Sequence, residues 1–343
     1  MTFRKQPSQQ NWAAIAEHLK SHGHRLDGTA RQFASGLANQ NYLVQFNGAP
    51  AIFRCPPRGP LAPGASDMVR ETKVLRALAP HYPLAPHALH LCTDLSVNGA
   101  PFQLLEFREG VAIGGVLPAG LSIADAPWML DALVGALAHL HALDPDAIGL
   151  ADLARSGGFA ERQLRGWTNR AKVAFVDNRP ERLDALLQRL RDCMPPDSPD
   201  RLLHMDAKLD NLLLLPAEQK ASALIDWDMG TLGPPAFDLA VLLSYWIMPD
   251  DPDAVHALLA VPSLVPGWPG REAVTGAYAR AAGNLPAHLG WHLGLARLRL
   301  ATAWMQLYRL WQQGALAGER YSDFARLAEA IIDHALDQFG KTA

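Results

Sequence analysis

Two polar clusters joined by a short apolar hairpin constrain this chain more than any other feature. In Leu202-Leu203-His204-Met205-Asp206-Ala207-Lys208-Leu209-Asp210-Asn211, the side chains of His204, Asp206 and Asn211 recur at close spacing. Fifteen residues after Asn211, Leu224-Ile225-Asp226-Trp227-Asp228 supplies a second acidic element. Asn211 opens the apolar run Leu212 to Leu215, and Ala223-Leu224-Ile225 leads directly into Asp226. Two short buried strands of this kind bring Asn211 and Asp226 to one end of a hairpin.

An amide and a carboxylate held together suit a hard cation such as magnesium, which prefers oxygen ligands and keeps several of its waters. Phosphoryl transfer from a nucleotide asks for such a metal and for a carboxylate to face the acceptor hydroxyl. In that reading Asp206 faces the hydroxyl, Asn211 returns to the metal, and Asp226 is the main metal ligand. An isolated His-x-Asp is a short pattern that structural hydrogen bonding explains equally well. The second element at this distance, with apolar strands between, favours the chemical reading.

Composition sets outer bounds. With 31 basic and 34 acidic residues in 343, the chain lacks the basic surplus that nucleic acid or an anionic membrane requires. The N-terminal residues show no apolar run of the signal-peptide kind, and no uninterrupted membrane-length stretch is evident. Cys55, Cys92 and Cys193 are scattered, odd in number and without metal spacing, as expected of reduced thiols in a cytoplasmic protein.

Strands dominate the first hundred residues and helices the remainder. Residues 11–22 carry helical spacing through Trp12, Ile15 and Leu19. Strand patterns fill Arg31 to Cys55, where Asn47-Gly48 signals a hairpin turn. Ser66 or Asp67 caps a helix running to about Leu78, and Phe102 to Phe107 reads as another strand. Helical periodicity then covers Asp131 to Leu143, Phe159 to Val176, Glu181 to Cys193, Leu239 to Ile247, Ala287 to Gln313 and Tyr321 to Gly340. His139 and His141 straddle a helix end and are expected to make local hydrogen bonds. Trp304, Tyr308 and Trp311 form a stripe that is either core or a wall of an acceptor pocket.

The loop His204 to Asn211 resembles the H-G-D-x-R-x-D-N loop of the aminoglycoside phosphotransferase-like kinases, the phosphotransferase enzyme family. Ile225-Asp226-Trp227-Asp228-Met229-Gly230-Thr231-Leu232-Gly233 is similar to that family's D-W-E-x-x-T-L-G segment, with Asp238-Leu239-Ala240 continuing it. Phe53-Arg54-Cys55-Pro56-Pro57 with Gly59-Pro60-Leu61, and Glu161-Arg162-Gln163-Leu164 with Trp167, resemble more narrowly the branch fused to some acyl-CoA dehydrogenases. The likeness spans about residues 30 to 310.

This resemblance implies an α+β, protein-kinase-like two-lobe fold. A small β-rich nucleotide-binding lobe would occupy residues 1–107, and a larger, mainly helical catalytic and acceptor-binding lobe residues 108–343. It implies ATP and Mg2+ as cofactors and a small-molecule hydroxyl acceptor as partner, with neither nucleic acid nor membrane. Arg54 takes the place of the strand lysine that holds the α- and β-phosphates, and Glu71 is its ion-pair partner. Ile52 shares a strand face with Arg54 and would lie over adenine. Ser35 to Asn41, with Gly36 and Asn39, falls where a phosphate-covering loop belongs. Leu104 to Phe107, including Glu106 and Phe107, would meet the base through the backbone. Lys208 would neutralise the transferring group or serve as a solvated loop lysine. Asp210 is structural in this reading, and Asp228 either supports the metal or binds it.

Met205 departs from the family's usual Gly, Pro234 from a usual Asp, and Arg54 from Lys, which differs in reach and hydration. Residues 245–343 carry 9 acidic and 8 basic side chains. That balance favours an apolar or anionic acceptor over a polycation, and the branch resemblance points to a hydroxyacyl compound or its CoA thioester. The alternatives are a pseudokinase that binds a nucleotide or partner without transfer, and an aminoglycoside or macrolide phosphotransferase. A metal hydrolase on His204, Asp206 and Asp226 lacks a further histidine at suitable spacing.

Overall fold

The computed structural model describes residues 3–4, 8–34, 39–57, 66–258, 260–316 and 318–339. The first helix, α1 (Trp12–Ser21), starts where Asn11 Oδ1 accepts the Ala14 amide at 3.2 Å, satisfying a donor that the helix itself leaves free. Strands β1 (Leu26–Gln32), β2 (Gln40–Phe46), β3 (Ala49–Cys55), β4 (Ala88–Cys92) and β5 (Phe102–Glu106) form one antiparallel sheet in the order β1-β2-β3-β5-β4. Asn47 and Gly48 turn at φ 52° and 82°, the paired positive values that a tight hairpin needs. The register then runs unbroken from Phe46↔Ala49 to Gln40↔Cys55.

Strand alternation decides what each face of β3 does. Ala51, Phe53 and Cys55 enter a core shared with Ile15, Leu19, Tyr42 and Phe102. Ile52 and Arg54 point the other way, and Ile52 packs on the edge of the larger core. Helix α2 (Met68–Leu78) is capped by Asp67, whose Oδ1 accepts the Arg70 amide at 3.0 Å. Its Val74, Leu75 and Leu78 join the larger core, and that same face carries Glu71 inward.

Past a short helix α3 (Leu95–Asn98) and β5, the chain is mainly helical: α4 (Ala126–Ala142), α5 (Phe159–Ala174), α6 (Leu183–Asp192), α7 (Pro235–Tyr245), α8 (Arg271–Ala282), α9 (Leu289–Gln312) and α10 (Phe324–Asp337). One core takes in Leu137 of α4, Leu242 of α7, Leu298 of α9 and Ile331 of α10. Two small antiparallel pairs interrupt the helices: β6 (Arg201–Leu203) with β9 (Thr231–Gly233), and β7 (Leu212–Leu215) with β8 (Lys220–Leu224). Gly233 is required by packing, since a Cβ there would lie 2.3 Å from the Phe159 ring.

The small β-rich lobe and larger helical lobe agree with expectation; several details differ. Strand β1 begins at Leu26 rather than Arg31, because Asp27-Gly28 breaks the apolar alternation that marks a strand. Strand β4 and helix α8 are additions to the expected elements: β4 is an apolar run too short to tell strand from helix, whereas Val274, Ala277, Tyr278 and Ala281 in α8 do carry helical spacing. Residues Ile123–Ala142 form a continuous helical stretch of mean hydropathy 1.2, long and apolar enough to cross a membrane, contrary to the reading of the sequence. Half of that stretch is buried within the protein, with Met129, Leu133 and Leu140 fully enclosed.

Candidate active site

The loop after β6 is held from behind by one buried acid. Asp238, in the first turn of α7, accepts the His204 amide at 2.7 Å through Oδ2 and the Met205 amide at 2.6 Å through Oδ1. His141 Nε2 lies 3.2 Å from Asp238 Oδ2, and its Nδ1 lies 2.7 Å from the Tyr278 hydroxyl. Burial opposes the Asp238 charge, yet the His141 hydrogen bond and charge hold its carboxyl below the usual range. His141 therefore bonds across the lobe rather than locally, because α4 ends against α7 and α8. His204 is fully buried, with Nε2 donating to the Ile225 carbonyl at 2.9 Å and Nδ1 accepting the Asp206 amide at 3.3 Å. Its burial lowers the imidazole pKa, consistent with a structural tie between the two motif elements. His204 pins the first element to the second.

The β7–β8 hairpin does what the apolar pattern implied. Leu212 pairs with Leu224, and the Ile225 amide donates to the Asn211 carbonyl at 2.8 Å. Asn211 and Asp226 thus leave the same end of the ladder. Asn211 Nδ2 donates to both the carbonyl and the Oδ2 of Asp206, each at 2.9 Å. Lys208 Nζ lies 2.8 Å from Asp206 Oδ2 and 3.0 Å from Asp210 Oδ1. Burial works against the Lys208 charge, but Asp206 and Asp210 outweigh it and keep the amine protonated beyond its usual range. One oxygen of Asp206 is held by the loop; Oδ1 is the oxygen left to meet another group.

Arg54 reaches from the sheet into this cluster. Its Nε donates to Glu71 Oε2 at 2.9 Å, its Nη1 to Asn41 Oδ1 at 3.2 Å, and its Nη2 to Asp226 Oδ1. Asp228 Oδ2 lies 3.9 Å from the same Nη2 and accepts Asn39 Nδ2 at 2.9 Å. Burial opposes the Arg54 charge, yet Glu71, Asp226 and Asp228 together raise its pKa. Burial pushes the Glu71 carboxyl up to about 7 despite Arg54. Asp226 is held below the usual range because Arg54 overcomes its burial, whereas burial and Asp226 raise Asp228.

Three carboxylates around one guanidinium leave a surplus of negative charge. Asn39 Oδ1, also buried here, has no hydrogen-bond partner among the described residues. An oxygen-rich, anionic site of this kind fits a hard divalent cation. The donor set available to it is Asn211, Asp226 and Asp228.

Of the residues expected from sequence, Asp206, Lys208 and Asn211 form one cluster and Asp226 forms a second with Arg54 and Glu71; the Ile225 amide on the Asn211 carbonyl joins the two, and Asn39 reaches the second through Asp228. Gly36 lies outside the described residues, as do Ser35, Leu37 and Ala38. Glu106 sits on β5 with its side chain on Arg108 at 2.9 Å and the His87 amide at 3.1 Å, leaving the backbone for any contact with a base. Phe107 follows the strand. Met205 adopts φ 71°, which explains why Gly is usual there. Pro234 directly precedes α7 in an extended conformation. Trp304 and Tyr308 pack on the core, and Trp304 lies edge-on to Phe324 at 4.2 Å.

The sequence reading missed Asp238 as the loop's anchor, although a lone acid inside Phe237-Asp238-Leu239-Ala240-Val241 is a usable signal. It also missed Gln103, which donates to Glu71 Oε2 at 2.6 Å and accepts from Thr72 Oγ1 at 2.6 Å.

The sequence pattern of APH, the phosphotransferase enzyme family, matches residues 29–274. The chain is 29% identical over 323 residues to IBR3 of Arabidopsis thaliana, provisionally an acyl-CoA dehydrogenase, covering 89% of this chain and 39% of that protein. It is 27% identical over 321 residues to acyl-CoA dehydrogenase family member 11 of Gallus gallus, covering 90% and 40%. The chain thus spans about two fifths of the length of these relatives. Among solved structures, a Ralstonia eutropha protein provisionally assigned as an aminoglycoside phosphotransferase shares its fold, with a TM-score of 0.76 at 24% identity over 97% of this chain and 99% of that one. Aminoglycoside phosphotransferase APH(4)-Ia, in a ternary complex with ADP and hygromycin B, superposes with a TM-score of 0.63 at 15% identity, covering 95% and 99%.

Proposed function

This chain belongs to the phosphotransferase enzyme family, and from that premise we propose that it transfers the γ-phosphoryl group of ATP to a hydroxyl of a small acceptor. The observation that carries the reading is the junction at the hairpin end. There Asn211 touches Asp206 while its carbonyl binds the residue before Asp226. Asp206 accepts the acceptor's proton on Oδ1 as the new O–P bond forms and the bond from the γ-phosphorus to the bridging oxygen breaks, ADP leaving; the other Asp206 oxygen is fixed by Lys208 and Asn211. Lys208 steadies the charge beside that carboxylate, and Arg54 grips the α- and β-phosphates with Glu71 holding it in place. Asn211 and Asp226 would hold Mg2+, which when bound would shield the charge of the phosphate oxygens. Ile52 covers the adenine, and the backbone from Leu104 to Phe107 meets its edge.

The acceptor we favour is a hydroxyacyl compound or its CoA thioester. Supporting it are the likeness to acyl-CoA dehydrogenase-type relatives and the near-neutral charge of residues 245–343. Cys55, Cys92 and Cys193, none of them in a disulfide, support a cytoplasmic setting. A pseudokinase is the less economical reading, because Arg54 makes the ion pair with Glu71 that a transferring kinase requires. The test is magnesium-dependent ATP consumption against a library of hydroxyl acceptors. Stimulation by medium-chain hydroxyacyl thioesters is expected; a response confined to amino sugars defeats the acceptor assignment.

A further inference from the structure

Beside Asp206 stand two polar side chains to which the proposed reaction gives no role. Tyr245 ends α7, and the Lys208 ammonium lies 5.6 Å from the centre of its ring. Lys208 in turn sits 2.8 Å from Asp206 Oδ2, so the phenol neighbours the carboxylate that takes the proton. Arg299 projects from α9 toward the same place. Its Nη2 lies 3.4 Å from the sulfur of Met229, which follows Asp226 and Asp228 in the second motif.

Both groups lack the partners their chemistry asks for. Among the described residues Arg299 forms no ion pair, and its hydrogen-bond contact is the Met229 sulfur, a weak acceptor. The Tyr245 hydroxyl makes no hydrogen bond among them either. Neither side chain is sealed off: Arg299, Tyr245, Asp206 and Lys208 are all partly exposed, so one bound molecule can touch each of them.

The charge balance says what kind of molecule. Lys208 is neutralised by Asp206 and Asp210, and Arg54 by Glu71, Asp226 and Asp228. Arg299 has no such carboxylate among the described residues. Asp206, Lys208, Arg299 and Asp210 all act on the Tyr245 hydroxyl, which burial pushes up to about 12, so it remains a donor at neutral pH. A guanidinium and a phenol O–H facing one place are donors for an oxyanion. Resting on the phosphotransfer reading above, we propose that Arg299 and Tyr245 bind an oxyanion carried by the acceptor and so orient its hydroxyl toward Asp206 Oδ1. The acceptor class is therefore a hydroxylated acid. A free hydroxy acid supplies the oxyanion as its carboxylate, and a CoA thioester supplies it as a phosphate of the carrier. The apolar chain rests on Met229, which is 38% exposed.

The test has a binding arm and a transfer arm. The full chain loaded with MgADP is titrated by calorimetry with hexanoate and with coenzyme A. Transfer from MgATP is followed to 3-hydroxyhexanoate, its methyl ester and its CoA thioester. Arg299→Met should weaken binding of the anion by roughly ten- to a hundredfold, the range for a lost hydrogen bond to a charged group, and Tyr245→Phe by less. Arg299→Lys should recover part of the loss, which a folding defect would not allow. The KM of the charged acceptor should rise by the same factor in Arg299→Met, with little change for the methyl ester. A rise for the free acid alone assigns the carboxylate, and a rise for the thioester alone assigns the carrier's phosphate; either supports the site. Unchanged affinities and KM values in Arg299→Met, or an equal rise for the methyl ester, overturn it even with transfer intact. Anion binding that depends on Arg299 without transfer to any acceptor keeps the site and removes the phosphotransfer reading. Silence in both arms overturns both.

Discussion

Met205 and Asp226 share one left-handed backbone conformation, φ 71° and 70°, at the two points where the chain enters and leaves the catalytic hairpin. For a residue with a Cβ this conformation costs roughly 1–2 kcal/mol. Met205 offsets the cost by burying its side chain to 5% exposure. Met205→Gly is therefore expected to lose only about 1–2 kcal/mol in urea melts, burial lost being partly regained as backbone relief. Met205→Val keeps an apolar side chain but is β-branched, and should lose more. A Val variant more stable than the Gly variant contradicts this account.

Asp206 and Asp226 carry separable duties. Asp206→Ala should lower kcat by about 10²–10⁴-fold, the range for loss of a general base, with nucleotide affinity nearly unchanged. Asp226→Ala should weaken Mg-nucleotide binding as well, by roughly tenfold or more. Single-turnover rates and equilibrium nucleotide titrations separate the two. An Asp206→Ala protein retaining most of its activity removes the base assignment.

Arg54→Lys keeps the charge and loses the geometry. Each guanidinium nitrogen serves a different acceptor: Glu71, Asn41 and Asp226. One ammonium cannot reach all three. Stability should fall by about 1–3 kcal/mol from the buried acceptors left unpaired, and nucleotide affinity should fall with it. Thermal melts and nucleotide titrations of the variant, beside a surface Arg→Lys control, provide the check.

Glu71→Gln yields a pH signature. Burial raises the Glu71 pKa from 4.5 to about 7, so between these values the folded protein binds more protons than the unfolded chain. The Glu71 contribution is thus fully present below about pH 4.5 and is lost as pH rises through 7. The uncharged amide of the variant has no such dependence. Relative to the parent, the variant should gain stability between about pH 5 and pH 7 and level off above, as read by urea melts at several pH values. A stability difference independent of pH speaks against a strained Glu71.

The buried histidines act in the opposite direction. Burial lowers His90, His292 and His334 to about 4. Their contribution is complete above 6.5 and is lost as pH falls toward 4, because the unfolded chain takes up protons first. His90→Gln should flatten the acid limb of the melting profile; an unchanged limb assigns the loss elsewhere.

The two-lobe architecture was legible because its signals are local. Asn47-Gly48 marked the hairpin, Asp67 marked the helix start, and the apolar runs around Asn211 and Asp226 marked the catalytic hairpin. Asp206, Asn211 and Asp226 were legible because they stand close in sequence. Asp238 was legible only as part of the segment Asp238-Leu239-Ala240 and not as the loop's anchor, and Gln103 not at all, since their partners lie 34 and 32 residues away and nothing local shows that a polar side chain is about to be enclosed. His141 was assigned to local bonds for the same reason. The positive φ of Met205 could not be inferred from a residue that rarely adopts it.

Arg54 and Asp226 come from different lobes and form an ion pair with one another. On the proposed reading, admission of substrate is a salt metathesis. A magnesium nucleotide brings an anion for Arg54 and a cation for Asp226, so both ions change partners and neither is stranded. Bare nucleotide would leave Asp226 uncompensated, and bare metal would take Asp226 from Arg54 and leave the arginine to Glu71 and Asp228. The resting ion pair therefore acts as a filter for the complete metal–nucleotide complex before any acceptor is examined.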